Sequence, residues 1–126
     1  MRIVFAVALG GAIGATARYW LAGLIGRWLG TGFPWGVMIV NILGCFVMGL
    51  LVEIMALKWS VSEPMRAFLT VGILGGFTTF SSFALDTAML AARHDTMATA
   101  FYVAGSVALA ILGFYAGLIL VRHAIP

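Results

Sequence analysis

Residues 75–83 read Gly-Gly-Phe-Thr-Thr-Phe-Ser-Ser-Phe and lie inside a long apolar run. Two glycines and four hydroxyl side chains favour a local break in a helix, because glycine loosens the backbone and hydroxyls compete for its hydrogen bonds. Carbonyl groups freed at membrane depth are tolerated only where they are buried in protein, line water or hold an ion. The stretch therefore predicts a membrane helix that is broken near residues 75–79, and it marks a candidate functional position.

The composition places the chain in the membrane class. Of 126 residues, 63% are apolar and only 9% are charged, which is too few to cover the surface of a soluble domain. The net charge is +3, but the seven basic residues are spread along the chain. They are typical of residues that flank membrane spans, and they do not form a patch for nucleic acid.

Four apolar stretches are long enough to cross a bilayer, which requires about 20 residues. Uncharged runs cover residues 31–52, 67–85 and 96–121, and a fourth covers residues 3–26 with Arg18 as its only interruption. The runs lack the alternation of a β-barrel. They predict an all-α membrane protein, with a single four-helix transmembrane domain over residues 1–126 and helices near 3–27, 33–57, 63–92 and 95–123.

The first apolar run has a second interpretation. Arg2, the run itself and the small residues Ala15-Thr16-Ala17 resemble a secretory signal with a cleavage site. The apolar pattern continues beyond Arg18, however, and this favours a first helix that is retained.

Glycine content and charge distribution bear on assembly. Sixteen glycines, many of them four residues apart, let helices approach closely in lipid. A four-helix bundle offers little interior for a polar pathway, so a transport function would predict assembly with a second copy of the chain.

Basic residues divide almost evenly between the two membrane sides: Arg2, Lys58, Arg66 and Arg122 lie on one, and Arg27 and Arg93, with Arg18 nearby, lie on the other. This weak bias fits an antiparallel dimer, and it also fits a monomer with cytoplasmic termini.

Several polar or aromatic side chains fall inside the spans, where each needs a partner or a role. Arg18 either extends to the interface or places positive charge at the mouth of an anion path. Asn41 either joins helices or offers amide donors to an anion. Phe80 and Phe83 share a face if a helix resumes there, so their positive ring edges can face an anion, although core packing is the alternative. Glu53 is expected at the membrane interface.

The combination of these residues resembles the Fluc (CrcB) fluoride channel family over essentially the whole chain. The resemblance rests on the motif at residues 75–83, on Asn41 within Val-Asn-Ile-Leu-Gly, and on Arg18 within Gly-Ala-Thr-Ala-Arg. It implies a fluoride-selective passive channel rather than an enzyme, in the bacterial cytoplasmic (inner) membrane. Its members are dual-topology homodimers, antiparallel in the bilayer, with two pores and one central sodium ion.

The resemblance also implies roles for particular residues. The fluoride pore is expected to be lined by Phe80, Phe83, Asn41, Ser81, Tyr102, Ser106 and Arg18. The structural sodium ion is expected on the backbone carbonyls of Gly75 and Thr78 from both subunits. No organic cofactor is expected, and the partners are a second copy, fluoride and the lipid bilayer. Fluoride would enter acidified cells as neutral HF, dissociate and leave through the channel.

Four positions depart from the family pattern, and two other functions remain open. Val37 stands where several members have threonine, Ala84 replaces a frequent serine, and Asp86 replaces a common glutamate. Ala110 lies on the same helical face as Tyr102 and Ser106, which are four residues apart, but it carries no hydroxyl.

A small multidrug or cation exporter is one alternative function, but the first span lacks the embedded carboxylate of such exporters. The other is a structural membrane subunit without transport.

Overall fold

The computed structural model describes residues 1–126 as an all-helical protein. Four helical segments are long and apolar enough to cross a membrane, as the uncharged runs predict. The elements are α1 (Arg2–Leu29), α2 (Trp35–Leu57), α3 (Glu63–Ala67), the π-helical segment π1 (Phe68–Leu74), α4 (Gly75–Phe77), α5 (Phe80–Ala92) and α6 (Thr96–Ala124). The elements from α3 to α5 together form the third spanning segment, Glu63–Ala92.

Side chains cap the starts of α3 and α6. The Ser62 hydroxyl accepts a hydrogen bond from the Met65 amide at the start of α3, and Pro64 occupies the first turn. The Asp95 carboxylate accepts one from the Ala98 amide at the start of α6, at 3.1 Å. Each cap satisfies an amide that has no partner within its own helix.

The third segment is broken at Thr78 and Thr79. Both residues have extended backbone angles, with φ/ψ of −91°/156° and −151°/119°. The helix resumes at Phe80, so the predicted break near residues 75–79 is confirmed. The helix already departs from α-helical geometry before the break, because the seven residues of π1 form a π-helix. Such segments are rare and occur often at functional sites.

Glycines allow two pairs of helical elements to approach closely. α1 packs against π1 and α4, and Gly10 and Gly14 face this contact. A Cβ atom added at Gly10 would lie 2.9 Å from the Gly72 Cα atom. α2 and α6 form the other extensive contact, through Gly49 and Gly117. Close packing of backbones compensates for the lack of a hydrophobic driving force between helices in lipid.

An ion pair with a buried carboxylate and an exposed guanidinium joins α2 and α6 near the ends of both helices. Arg122 Nε donates a hydrogen bond to Glu53 Oε1 at 3.0 Å, and Glu53 is only 7% exposed. Glu53 therefore packs between the helices close to the end of α2, where the sequence predicts the membrane interface. The guanidinium compensates the cost of burying the carboxylate.

We expect the Gly49→Ala variant to be destabilised by about 1–3 kcal/mol, because overpacking of a tight contact costs this much. Its new methyl group would collide with the Phe114 carbonyl oxygen and approach the Leu118 amide. The free energy of unfolding can be measured by denaturant titration of the protein in detergent micelles. Gly23→Ala is the matched control, since a Cβ there meets nothing within 4 Å. Equal stability of both variants would contradict the close packing of α2 on α6.

Candidate functional site

The break in the third segment borders a groove, here called the Asn41 groove, of about 250 Å³. It is open on one side of the bundle and mostly apolar, with a small number of polar groups. Its walls come from α2, the break, α5 and α6. The lining residues are Asn41, Cys45, Thr78, Thr79, Phe80, Phe83, Ser106, Val107, Ala110 and Ile111.

The Asn41 side chain holds the broken backbone through two hydrogen bonds. Its Oδ1 accepts from the Thr79 amide at 2.7 Å, and its Nδ2 donates to the Thr79 carbonyl at 3.1 Å. The amide group thus replaces both partners that a continuous helix would give Thr79. Because the NH2 group carries two hydrogens, one donor remains for another acceptor.

Gly75 and Thr78 are among the carbonyl groups at the break that lose their usual helical donors. In a continuous helix the Thr79 amide would donate to Gly75, but it donates to Asn41 instead. The Ser82 amide would donate to Thr78, but it donates to the Thr79 hydroxyl at 3.1 Å, which caps α5. Gly75 and Thr78 are the two residues expected to hold sodium. Free carbonyl oxygens are hard donors and fit such a cation.

The two phenylalanines of the motif are adjacent but differ in exposure. Their ring centroids are 5.4 Å apart, with the planes tilted by 45°. Phe83 is 8% exposed and packs on Tyr102, whereas Phe80 is 78% exposed. Phe80 is the first residue of α5 and lies at the edge of the groove. The Phe83 ring is therefore held by packing, whereas the Phe80 ring is available for contact with a partner.

Ser106 presents a buried polar atom with no hydrogen-bond partner. The residue is 5% exposed, and its hydroxyl oxygen forms no hydrogen bond in the protein. It lies on α6 and lines the Asn41 groove. Because leaving a buried hydroxyl unpaired costs about 1–3 kcal/mol, such a group needs an explanation, and an occupant of the groove would supply one.

Tyr102 and Ser81 do not line the groove. The Tyr102 side chain is fully buried beneath Phe83, and its hydroxyl donates to Asp86 Oδ2 at 3.0 Å. Ser81 is exposed on the first turn of α5, with its hydroxyl 3.3 Å from that of Thr79. The structure therefore brings Asn41, Ser106 and the two phenylalanines together in the groove. The hydroxyls of Tyr102 and Ser81 lie outside it.

Arg18 lies on a different surface of the bundle. Its Nε donates to the Gly76 carbonyl at 3.0 Å, which ties α1 to α4. It borders a second groove of about 600 Å³ together with Arg27, Tyr19 and Trp20. The remaining guanidinium N–H groups are free, so Arg18 supplies positive charge near the break without entering the Asn41 groove.

The four positions that differ from the family pattern lie on different surfaces of the protein. Ala110 lines the Asn41 groove, whereas Val37 and Asp86 line a separate cavity of about 260 Å³ beside Arg93. Ala84 is exposed on α5. Cys45 also lines the groove but was not among the predicted site residues, although its position one helical turn after Asn41 was a signal for it.

Comparison with known proteins identifies the family. The family described as "CrcB-like protein, Camphor Resistance (CrcB)" matches residues 5–118. The chain is 50% identical to "Fluoride-specific ion channel FluC" of Rhodospirillum centenum over 99% of each chain. It is 53% identical to a protein of the same name from Chelativorans sp., over 92% of this chain and 93% of that one.

A third relative, "Fluoride-specific ion channel FluC 2" of Nitrobacter hamburgensis, is 46% identical over 93% of this chain and 94% of its own. These relatives are bacterial proteins named as ion channels and not as enzymes. Four spanning helices make the present protein a multi-pass protein of the inner membrane. The match along nearly its whole length shows that this chain belongs to the CrcB family of membrane channel proteins.

Proposed function

We propose that this protein is a fluoride-selective passive channel that exports cytoplasmic fluoride and so protects the cell from its toxicity. One observation carries the proposal: the Asn41 groove collects unused hydrogen-bond donors and aromatic edges at a break in a membrane helix. The names of relatives that match over the full length of the chain support fluoride as the ion. No bond is made or broken in this function.

The groove offers what a small, strongly hydrated anion needs. Fluoride must exchange its water for good donors, and the second N–H of Asn41 and the Ser106 hydroxyl are both unused. The edges of the Phe80 and Phe83 rings add weak positive partners. A narrow pathway of this kind excludes chloride because of its size and its poorer fit to the donors.

The complete pore is proposed to form between two antiparallel copies, which gives two pores in each dimer. Phe80 is mostly exposed beside an open groove, and Ser81 is exposed next to it. Lipid cannot satisfy the polar groups of a broken helix, so a second protein surface is needed to cover them. The even division of basic residues between the two membrane sides supports insertion in both orientations.

A structural sodium ion is proposed at the centre of the dimer. The carbonyls of Gly75 and Thr78 would hold it, because both have lost their helical donors. The ion would supply positive charge near the two pores when bound. The protein's own part is to keep the break open through Asn41, so that these carbonyls remain available.

The remaining expected pore residues act at the approaches to the groove in this proposal. Arg18 contributes positive potential beside the break, and Ser81 lies where the second copy would cover it. The Tyr102 hydroxyl is bound to Asp86, so it joins the path only if that bond opens. An interior-negative potential drives anion exit with about 2.3 kcal/mol per 100 mV, so passive flow suffices to expel fluoride that entered as HF.

The direct test is ion efflux from liposomes that contain the purified protein. We expect rapid release of fluoride, measured with a fluoride electrode, when valinomycin lets potassium balance the charge. Chloride release from matched liposomes should remain at the level of protein-free vesicles. Equal release of both anions, or substrate-driven proton uptake without fluoride release, would refute the proposal.

We expect the Phe80→Leu variant to release fluoride about three- to ten-fold more slowly, because aromatic edge contacts contribute about 0.5–1.5 kcal/mol. Leucine keeps an apolar side chain but lacks the ring edge. Phe101→Leu serves as the control, since Phe101 is 53% exposed and lies outside the Asn41 groove. An unchanged rate for Phe80→Leu would remove the ring from the mechanism.

The Ser106→Ala variant should become more stable and yet conduct less. Removing an unpaired buried hydroxyl is expected to raise the free energy of unfolding by about 1 kcal/mol. Fluoride efflux should fall about ten- to a hundred-fold, because a hydrogen bond to a charged group contributes about 1.5–3 kcal/mol. Ser60→Ala, at an exposed position, should change neither quantity. A gain in stability with unchanged efflux would exclude Ser106 from the path.

A further inference from the structure

Another groove, whose lining shares no residue with the Asn41 groove, lies between α2 and the start of the third segment. This surface, here called the Arg66 groove, has a volume of about 450 Å³. Its lining residues are Met48, Val52, Met55, Ala56, Arg66 and Thr70. Arg66, the one charged lining residue, lies near the connection between α2 and α3. From Ala56 at this end, the lining residues of α2 extend to Met48, about 12 Å further into the bundle at 1.5 Å per residue. The groove is thus cationic at the membrane surface and apolar below it.

The Arg66 guanidinium is free to bind a ligand. Arg66 is exposed, and its side chain forms neither an ion pair nor a hydrogen bond. Glu53 lies next to Val52 along α2, but its carboxylate is occupied by Arg122. The Thr70 hydroxyl donates to the Arg66 carbonyl and so leaves the guanidinium unengaged.

A second copy of the chain is poorly equipped to neutralise this arginine. The chain has only four acidic residues. Glu53 is paired with Arg122, Asp86 is bound by Tyr102, and Asp95 caps α6. The remaining one, Glu63, lies on α3 beside Arg66 in the same short helix. The charge balance therefore favours an anionic lipid over a protein surface as the occupant.

We propose that the Arg66 groove is a binding site for an anionic phospholipid. The lipid phosphate binds the Arg66 guanidinium at the membrane surface, and one acyl chain lies along Met48, Val52 and Met55. Basic grooves between spanning helices bind anionic headgroups in this way, and a basic residue that meets the headgroup contributes about 1 kcal/mol. The site is separate from the Asn41 groove, and it holds whether or not the protein conducts fluoride.

Native mass spectrometry of the full chain in detergent tests the site. The protein is mixed with phosphatidylglycerol or phosphatidylcholine of identical acyl chains, and bound lipid is counted. We expect the wild type to prefer phosphatidylglycerol and Arg66→Gln to bind it about five-fold more weakly. Lys58→Gln removes the same charge beside the same connection but outside the groove, so it should bind as the wild type does.

A second variant tests the apolar part of the groove. Val52→Phe fills the wall and leaves Arg66 in place, and it should also weaken phosphatidylglycerol binding. Retained helical circular dichroism and elution volume show that each variant is folded. Equal binding of the two lipids, wild-type binding by Arg66→Gln, or full displacement of the lipid by inorganic phosphate would overturn the proposal.

Discussion

The two hydrogen bonds between the Asn41 side chain and the Thr79 backbone are the constraint on which the site depends. A spanning helix cannot leave peptide groups without partners in the hydrocarbon region. The amide of Asn41 supplies one donor and one acceptor, so the backbone can remain extended at Thr78 and Thr79. The new helix then begins at Phe80, and the carbonyls of Gly75 and Thr78 are released from helical bonding.

The function of such a site depends on which polar atoms the fold uses and which it leaves free. Arg18 Nε and the Tyr102 hydroxyl donate to Gly76 and Asp86 and stabilise the packing around the break, and the free N–H groups of Arg18 lie outside the Asn41 groove. Ser106 and one N–H of Asn41 are not engaged, and both groups face the same groove. Only unused donors can exchange with the water of an ion, so the available chemistry is concentrated on this surface.

The sequence predicted the break in the third segment, because glycines and hydroxyl side chains act on their neighbours in the chain. It predicted less about individual side chains. Tyr102 and Ser106 are four residues apart and were expected to share one polar stripe, but Tyr102 is buried against Asp86 while Ser106 borders the groove. Helical spacing gives the face of a residue, whereas the neighbouring helix decides what that face meets. Glu53 illustrates the same limit, since its pairing with Arg122 had no local signal.

The sequence by itself determined the membrane class, the four spans, the broken third segment and the family, because transfer of an apolar segment into lipid and local backbone preferences are properties of contiguous residues. Only the tertiary structure decided which polar groups are satisfied. Asn41 and Thr79 are 38 residues apart, Arg18 and Gly76 are 58 apart, and Glu53 and Arg122 are 69 apart. Hydrogen bonds across such separations exist only once the helices have packed, so the free donors of the groove are a property of the assembled bundle.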